Sequence, residues 1–226
     1  MFTKETVDFF KKFLHPSDFA IDIRANFGHT TVQMALATSL TGLTLGFDPN
    51  PCVFEILQRN AALNPDLVRV GAHNLAISEH DDEFYYNSSE ASFNNGGIAK
   101  TPNNKHGKYS LSTKIKGVNL EGFLEKEYPD FLKKLTLIKI DTEGYDKEII
   151  RSISSLITKY KPVIISECFG KNSDKEKFEQ FNLLESLGYS LFYFTDFVAT
   201  TDIIPIKRKK DMLKYKHFDF YATPNS

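Results

Sequence analysis

Phe19-Ala20-Ile21-Asp22-Ile23-Arg24-Ala25-Asn26-Phe27-Gly28-His29-Thr30-Thr31-Val32-Gln33-Met34-Ala35-Leu36-Ala37 is the stretch on which the fold turns. Its first five residues are a short apolar run, which stops at a loop carrying Asn26 and Gly28. Residues 30–37 then read as a helix, so strand, tight turn and helix follow directly on one another. The same order returns at once. Leu43-Thr44-Leu45-Gly46-Phe47 ends at Asp48-Pro49-Asn50-Pro51, and a helical pattern follows through Phe54, Ile56, Leu57 and Leu63. Strands alternating with helices at this spacing imply parallel pairing through right-handed crossovers.

Further out, residues 67–70 and 75–77 form a third strand region, 135–140 a fourth strand ending at Asp141, and 162–167 a fifth. Near-continuous apolar runs of this kind suit strands covered on both faces. Residues 189–194 and 217–222 are rich in aromatics and partly alternating, which predicts an antiparallel pair at the sheet edge. The expected fold class is therefore α/β: a Rossmann-like, doubly wound, seven-stranded, mostly parallel sheet with an antiparallel edge strand. One domain over residues 1–226 is the simplest organisation, with an amphipathic helix at 1–16 and an insertion at about 79–117. Within the insertion, Phe84-Tyr85-Tyr86 and Thr113-Lys114-Ile115 can pair as short strands. Residues 87–109 are rich in Ser, Asn, Gly and Lys and read either as a lid over a substrate or as a plain surface insertion.

A formal charge of −1 gives no surface-wide attraction for nucleic acid or an anionic membrane. The basic run Lys207-Arg208-Lys209-Lys210 reads as a solvated connector. No stretch approaches the ~18 apolar residues of a membrane span. Cys52 and Cys168 each lie in an apolar stretch without a second Cys or His at metal-ligand spacing, and read as reduced packing residues of a cytoplasmic protein. No metal is expected, since carboxylates near strand ends such as Asp141, Glu143 and Glu167 are common without one.

In an open parallel sheet, ligands bind past the carboxyl ends of the strands where strand order reverses, so the residues just after each strand matter most. The loop after the first strand, with Gly28 allowing close approach, presents backbone N–H groups and a helix N-terminus suited to a ligand carboxylate. Asp48 stands where a carboxylate can accept hydrogen bonds from both hydroxyls of a ribose. Helix N-capping is its other reading, and the two roles are compatible.

Three segments together carry a family resemblance: Asp22-Ile23-Arg24-Ala25-Asn26-Phe27-Gly28, Asp48-Pro49-Asn50-Pro51, and Lys139-Ile140-Asp141-Thr142-Glu143-Gly144-Tyr145-Asp146. In this order they resemble the FkbM-type methyltransferases, over about residues 19–167. The resemblance implies S-adenosylmethionine as cofactor, with Asp22, Ala25, Asn26, Gly28 and Thr30 at its methionine end, Asp48 and Asn50 at the ribose, and Asn74 and Ala76 at the adenine. Asp141 then faces both cofactor and acceptor. One position departs from the pattern, because Arg24 stands where the family has glycine. It can obstruct the pocket, swing to solvent, or pair with the cofactor carboxylate, and it carries strain if the position demands a positive φ.

Methyl transfer from a sulfonium is an in-line displacement, so the protein's tasks are alignment and removal of a proton. Asp141 and Glu143 are the first candidates for base, with His106 of the long loop as one that a closing lid delivers. The implied reaction is O-methylation of a sugar or another polyhydroxylated small molecule. The alternative is a degenerate methyltransferase fold, acting as a binding or scaffolding module because of Arg24. Partners are thus a small-molecule or glycan acceptor and no nucleic acid, with oligomeric state left open.

Overall fold

The computed structural model describes residues 4–88, 96–102 and 109–225. In chain order its elements are α1 (Lys4–Phe10), β1 (Phe19–Ile23), α2 (His29–Thr38), β2 (Leu43–Phe47), α3 (Pro51–Ala61), β3 (Val70–His73) and β4 (Ala76–Ile77). The insertion then supplies β5 (Asp82–Ser88), β6 (Gly96–Ala99), β7 (Tyr109–Ser110) and β8 (Ile115–Val118). The remainder is α4 (Leu120–Glu127), α5 (Pro129–Leu132), β9 (Leu135–Ile140), α6 (Asp146–Ser152), α7 (Ser154–Tyr160), β10 (Val163–Cys168), α8 (Asp174–Ser186), β11 (Tyr189–Phe194), β12 (Ile203–Ile206) and β13 (Phe218–Pro224).

The main sheet runs β12-β11-β13-β10-β9-β1-β2-β3. The pairs β3–β2, β2–β1, β1–β9 and β9–β10 are parallel, while β13 is antiparallel to both β10 and β11. Strand order therefore reverses between β1 and β9, the point past which a doubly wound sheet binds its ligand. Register brings Asp22 level with Gly46 on one side and Lys139 on the other.

Alternation along the strands divides the core between the two faces. Ala20, Leu137, Ile165 and Tyr221 point to one face, under Phe9 and Phe10 of α1 and Met34 and Ala37 of α2. Ile21, Ile138, Ile164 and Phe220 point to the other, with Leu124, Ile150, Ile157 and Leu184 from α4, α6, α7 and α8.

The fold class follows the sequence, with local corrections. The sheet has eight strands rather than seven, because β12 adds an edge beyond β11. Its sequence, Ile-Ile-Pro-Ile, contains a proline, which edge strands tolerate. The third strand region splits: Val70–His73 joins the main sheet, whereas Ala76–Ile77 pairs with β8 in a second sheet ordered β4-β8-β5-β6. In that sheet Phe84 lies opposite Ile115, the pairing expected within the insertion, and β7 also pairs with β5. Among the described residues the first helix runs Lys4–Phe10, ending short of the expected residue 16.

The α1 helix is short, but its aromatic side chains anchor it. The Phe9 ring lies 5.0 Å from Phe194 and 5.3 Å from Phe197, and Phe13 lies 5.0 Å from Tyr221. Replacing a buried Phe by Ala removes apolar contact and leaves a cavity. Phe9→Ala is therefore expected to lower the unfolding free energy by about 3–5 kcal/mol. Urea denaturation followed by circular dichroism checks this, and a loss below ~1 kcal/mol would show α1 to be detachable.

Candidate active site

Asp22, fully buried at the end of β1, organises the first loop. Its Oδ2 accepts hydrogen bonds from the Thr30 and Thr31 hydroxyls, both at 2.7 Å, which ties the start of α2 to the strand. Oδ1 accepts no hydrogen bond and faces Lys139 Nζ at 3.4 Å. Gly28 has φ 86°, and a Cβ there would come within 2.7 Å of Leu57 Cδ1, so the turn needs glycine. Ala25 is buried and donates its N–H to the Phe47 carbonyl at 2.9 Å, joining the loops after β1 and β2.

Arg24 adopts φ 63°. The position does require left-handed backbone, and a side chain there carries strain of about 1–3 kcal/mol. The guanidinium does not swing to solvent. Its Nη1 pairs with Glu143 Oε1 at 2.9 Å, and the side chain is 18% exposed. Glu143 itself has φ 52°. An ion pair between two left-handed residues thus spans the loops after β1 and β9.

Asp48 is only 4% exposed. Its Oδ2 accepts the Asn26 N–H at 2.8 Å and its Oδ1 the Asn50 N–H at 2.9 Å. Burial raises its pKa against these two bonds. Capping of α3 falls to Asn50, whose Oδ1 accepts the Cys52 N–H at 3.1 Å. This leaves the Asp48 carboxylate for the site. Asn74 Nδ2 donates to the Asp48 carbonyl at 2.9 Å, and Ala76 lies in a small apolar cluster with Tyr86 and Ile115.

Tyr86 was not singled out by sequence reasoning. It enters the site from β5, buried, with the Asn50 side chain hydrogen-bonded to its phenol and Asp48, Arg24 and Glu143 as charged neighbours. Burial, followed by the Asp48 charge, pushes the phenol up to about 12. An alternating Phe-Tyr-Tyr run predicts a strand but gives no sign of where its inward face lands.

On the other side of the switch point, Lys139 Nζ lies 3.3 Å from Asp141 Oδ2. Asp22 and Asp141 overcome the burial that opposes the Lys139 charge and raise its pKa, while Lys139 holds Asp141 below the usual carboxylate range. Asp146 accepts from Thr142 N–H (3.0 Å), Thr142 Oγ1 (2.7 Å) and Ser166 Oγ (3.1 Å), and burial lifts it to about 6. Glu167, at the end of β10, pairs with His217 at 3.0 Å. Burial, then the charge of Asp141, pushes Glu167 up to about 8; burial likewise lifts its cross-strand partner Asp219 to about 6. Lys139, Glu167, His217 and Asp219 meet only through strand pairing. Lys139 is visible in the third motif and Glu167 as an acid near the end of an apolar strand, whereas His217 and Asp219 carry no local signal. His106 lies outside the described residues.

The family model described as Methyltransferase FkbM domain matches residues 22–191. Among solved structures, the chain is similar to a methyltransferase FkbM from Methylobacillus flagellatus KT, at TM-score 0.56 and 11% identity over 96% of this chain and 50% of that one. It is also similar to a putative rRNA-methylase from Clostridium thermocellum, at TM-score 0.51 and 12% identity over 100% and 99%. A third similar structure is a precorrin-6y C5,15-methyltransferase from Geobacter metallireducens GS-15, at TM-score 0.50 and 12% identity over 97% and 86%. At these identities the likeness is one of fold. The chain spans about half the length of the Methylobacillus protein. No curated protein matches the sequence.

The raised carboxyls of Asp146, Glu167 and Asp219 set the pH response of stability. Each keeps its proton in the folded chain above the pH at which the unfolded chain releases it, so folding binds protons and stability falls as pH rises from about 4 to about 8. Between about pH 6 and 8 the fall belongs mainly to Glu167. Urea denaturation across this window is expected to show wild type weakening and Glu167→Gln staying nearly flat. Equal slopes in the two proteins would contradict the assignment.

Proposed function

We propose that this chain, which belongs to the FkbM methyltransferase family, methylates a hydroxyl oxygen of a sugar or another polyhydroxylated small molecule. S-adenosylmethionine is the methyl donor, supplying an electrophilic methyl carbon on a positively charged sulfur. The residues present fit it. Asp48 is a buried carboxylate at the end of β2, each oxygen accepting one backbone N–H and keeping a second lone pair for a ribose hydroxyl. Asp22 Oδ1 is a buried acceptor without a hydrogen bond, and Gly28 gives the loop its close turn. The single observation that carries the reading is Asp48, held by the loops on both sides of it beside the switch point.

The chain's own residues divide the work. Asp48, with Asn50 beside it, binds and orients the donor, while Asp22 fixes the α2 N-terminus that faces it. The net acidity of Asp22, Asp141, Glu143, Glu167 and Asp219, against Arg24 and Lys139, suits a cationic sulfur. Choice of a polyol acceptor rests on the sequence of the insertion, Ser88-Ser89-Glu90-Ala91-Ser92-Phe93-Asn94-Asn95, of which residues 89–95 lie outside those described.

One observation favours the rival reading of a binding module without turnover. The Arg24–Glu143 pair and the Tyr86 phenol stand together beside Asp48 and Asn50, so a ribose must displace the phenol from Asn50. Calorimetric titration with S-adenosylmethionine and with its demethylated product separates the two. Catalysis predicts saturable binding of both, weakened ~10-fold or more by Asp48→Ala, which removes hydrogen bonds to a charged group. Tyr86→Phe is expected to tighten binding a few-fold, because it removes the phenol hydrogen bond beside Asp48, worth ~1 kcal/mol. Demethylated product should also accumulate with a pooled glycan and nucleotide-sugar extract. Absence of binding by folded wild type, restored by Arg24→Gly, would assign the module instead.

A further inference from the structure

We propose that Glu167 is the general base of the transfer and that His217 is the residue that positions it, an assignment that rests on the O-methyltransfer reading above. Of the three carboxylates in the motif, Asp141 and Glu143 are engaged by cations, and Asp146 is taken up by Thr142 and Ser166. Asp141 lies 3.3 Å from Lys139 Nζ, and Glu143 lies 2.9 Å from Arg24 Nη1. Lys139 holds Asp141 below the usual carboxylate range, and the ion pair with Arg24 occupies the Glu143 oxygen that would have to take the proton.

Glu167 is held differently. It is the penultimate residue of β10, two residues past Ile165, which lies opposite Lys139, and so reaches the level of Asp141, the first residue past β9. By the alternation of the strands, Asp22, Lys139, Glu167 and Asp219 share one face across four neighbouring strands, β1, β9, β10 and β13. Its side chain is 9% exposed, and Oε1 lies 3.0 Å from His217 Nε2. The Gly170 N–H donates to His217 Nδ1 at 3.2 Å, so the ring keeps its lone pair at Nδ1 and its proton at Nε2, aimed at Glu167. Both ring nitrogens are thereby used, and the imidazole orients the carboxylate instead of taking the substrate proton. Glu167 Oε2 is buried and has no hydrogen-bond partner. An acceptor hydroxyl supplies the missing one.

The groups facing Glu167 are His217 and Asp219 from the β13 side, Lys139 and Asp141 from β9, Glu143 and Asp146 from the segment that follows β9, and Gln180 of α8, which donates to the Glu167 carbonyl at 3.0 Å. Acidic neighbours and burial hold Glu167 near neutrality in its readiness to take a proton, the range in which a general base works best. In the step itself, Glu167 Oε2 takes the hydroxyl proton while the acceptor oxygen bonds the methyl carbon. The pair of the broken carbon–sulfur bond stays on sulfur, which loses its charge. The products are a methyl ether, the demethylated cofactor and a protonated Glu167 that returns its proton to solvent.

The test is carboxyl 13C NMR of the full chain labelled at glutamate, with Glu167→Gln assigning the signal. It is titrated free, with S-adenosylmethionine, and with the demethylated product. These two ligands differ by the sulfonium charge, so a carboxyl facing the sulfur is expected to titrate about one pH unit lower with the first than with the second. The ordering should persist in His217→Ala with the Glu167 midpoint raised, which a merely structural histidine would not produce. On whichever pooled acceptor wild type methylates, Glu167→Gln should cut kcat ~10²-fold or more and abolish its rise with pH, while weakening S-adenosylmethionine by no more than the ~10-fold that a one-unit shift implies. Identical Glu167 midpoints with both ligands bound would overturn the assignment. If neither ligand perturbs any signal, the cofactor reading fails instead.

Discussion

A single buried cation holds the carboxyl end of the parallel strands together at the point where their order reverses. Lys139 lies between Asp22 of β1 and Asp141 just past β9, at 3.4 and 3.3 Å, with almost none of its side chain in water. An unpaired ammonium in that position is untenable, and so is Asp22 without a counter-charge. Because β1 and β9 are the strands between which the sheet reverses, this ion pair lies under the switch point. Asp22 passes the constraint on to α2 through Thr30 and Thr31, and Lys139 passes it on to Asp141. The N-terminus of α2 and the Asp141 carboxylate are thereby fixed relative to each other by one side chain. Low dielectric is also what gives the neighbouring acids their raised proton affinities, since the one lysine cannot neutralise all of them.

The parts of this architecture readable from sequence are those encoded within a few residues. Phe19–Ile23 and Leu43–Phe47 are near-continuous apolar runs followed by turn residues, and all ten residues are buried as such runs require. Asp48 is legible for the same reason: it directly follows a strand. Features that depend on which strand lies beside which are not. Nothing near Glu167 announces His217, because β13 reaches β10 from the far end of the chain. Tyr86 is hidden in a different way. Its strand is predictable, but the landing of its phenol on Asn50 depends on how the second sheet docks against the first. Arg24 could be flagged as a departure, while its partner Glu143 could not be chosen over solvent or ligand without the loop geometry.

Similarity to other methyltransferases explains the scaffold and leaves the acceptor to this chain's own features. The Methylobacillus protein shares the fold at 11% identity and is about twice the length of what is described here. Fold at that distance carries no substrate information. Two features distinguish the site: an arginine in a left-handed turn tied to Glu143, and a tyrosine from the inserted sheet on the amide that caps α3.

The placement of β13 bears on how the chain comes to be folded at all. It follows every other strand of the sheet in sequence yet sits between β10 and β11, pairing with both. Until it arrives, β10 is an open edge, and the β11–β12 hairpin has no sheet to join. The aromatic anchors of α1 also lack Tyr221. During synthesis the nascent chain therefore presents an apolar, unpaired strand edge from the moment β10 emerges until β13 is free to insert, the circumstance in which edge-to-edge association between chains competes with folding. Such a topology makes the yield of native protein sensitive to chaperone supply and translation rate, independently of how stable the finished molecule is.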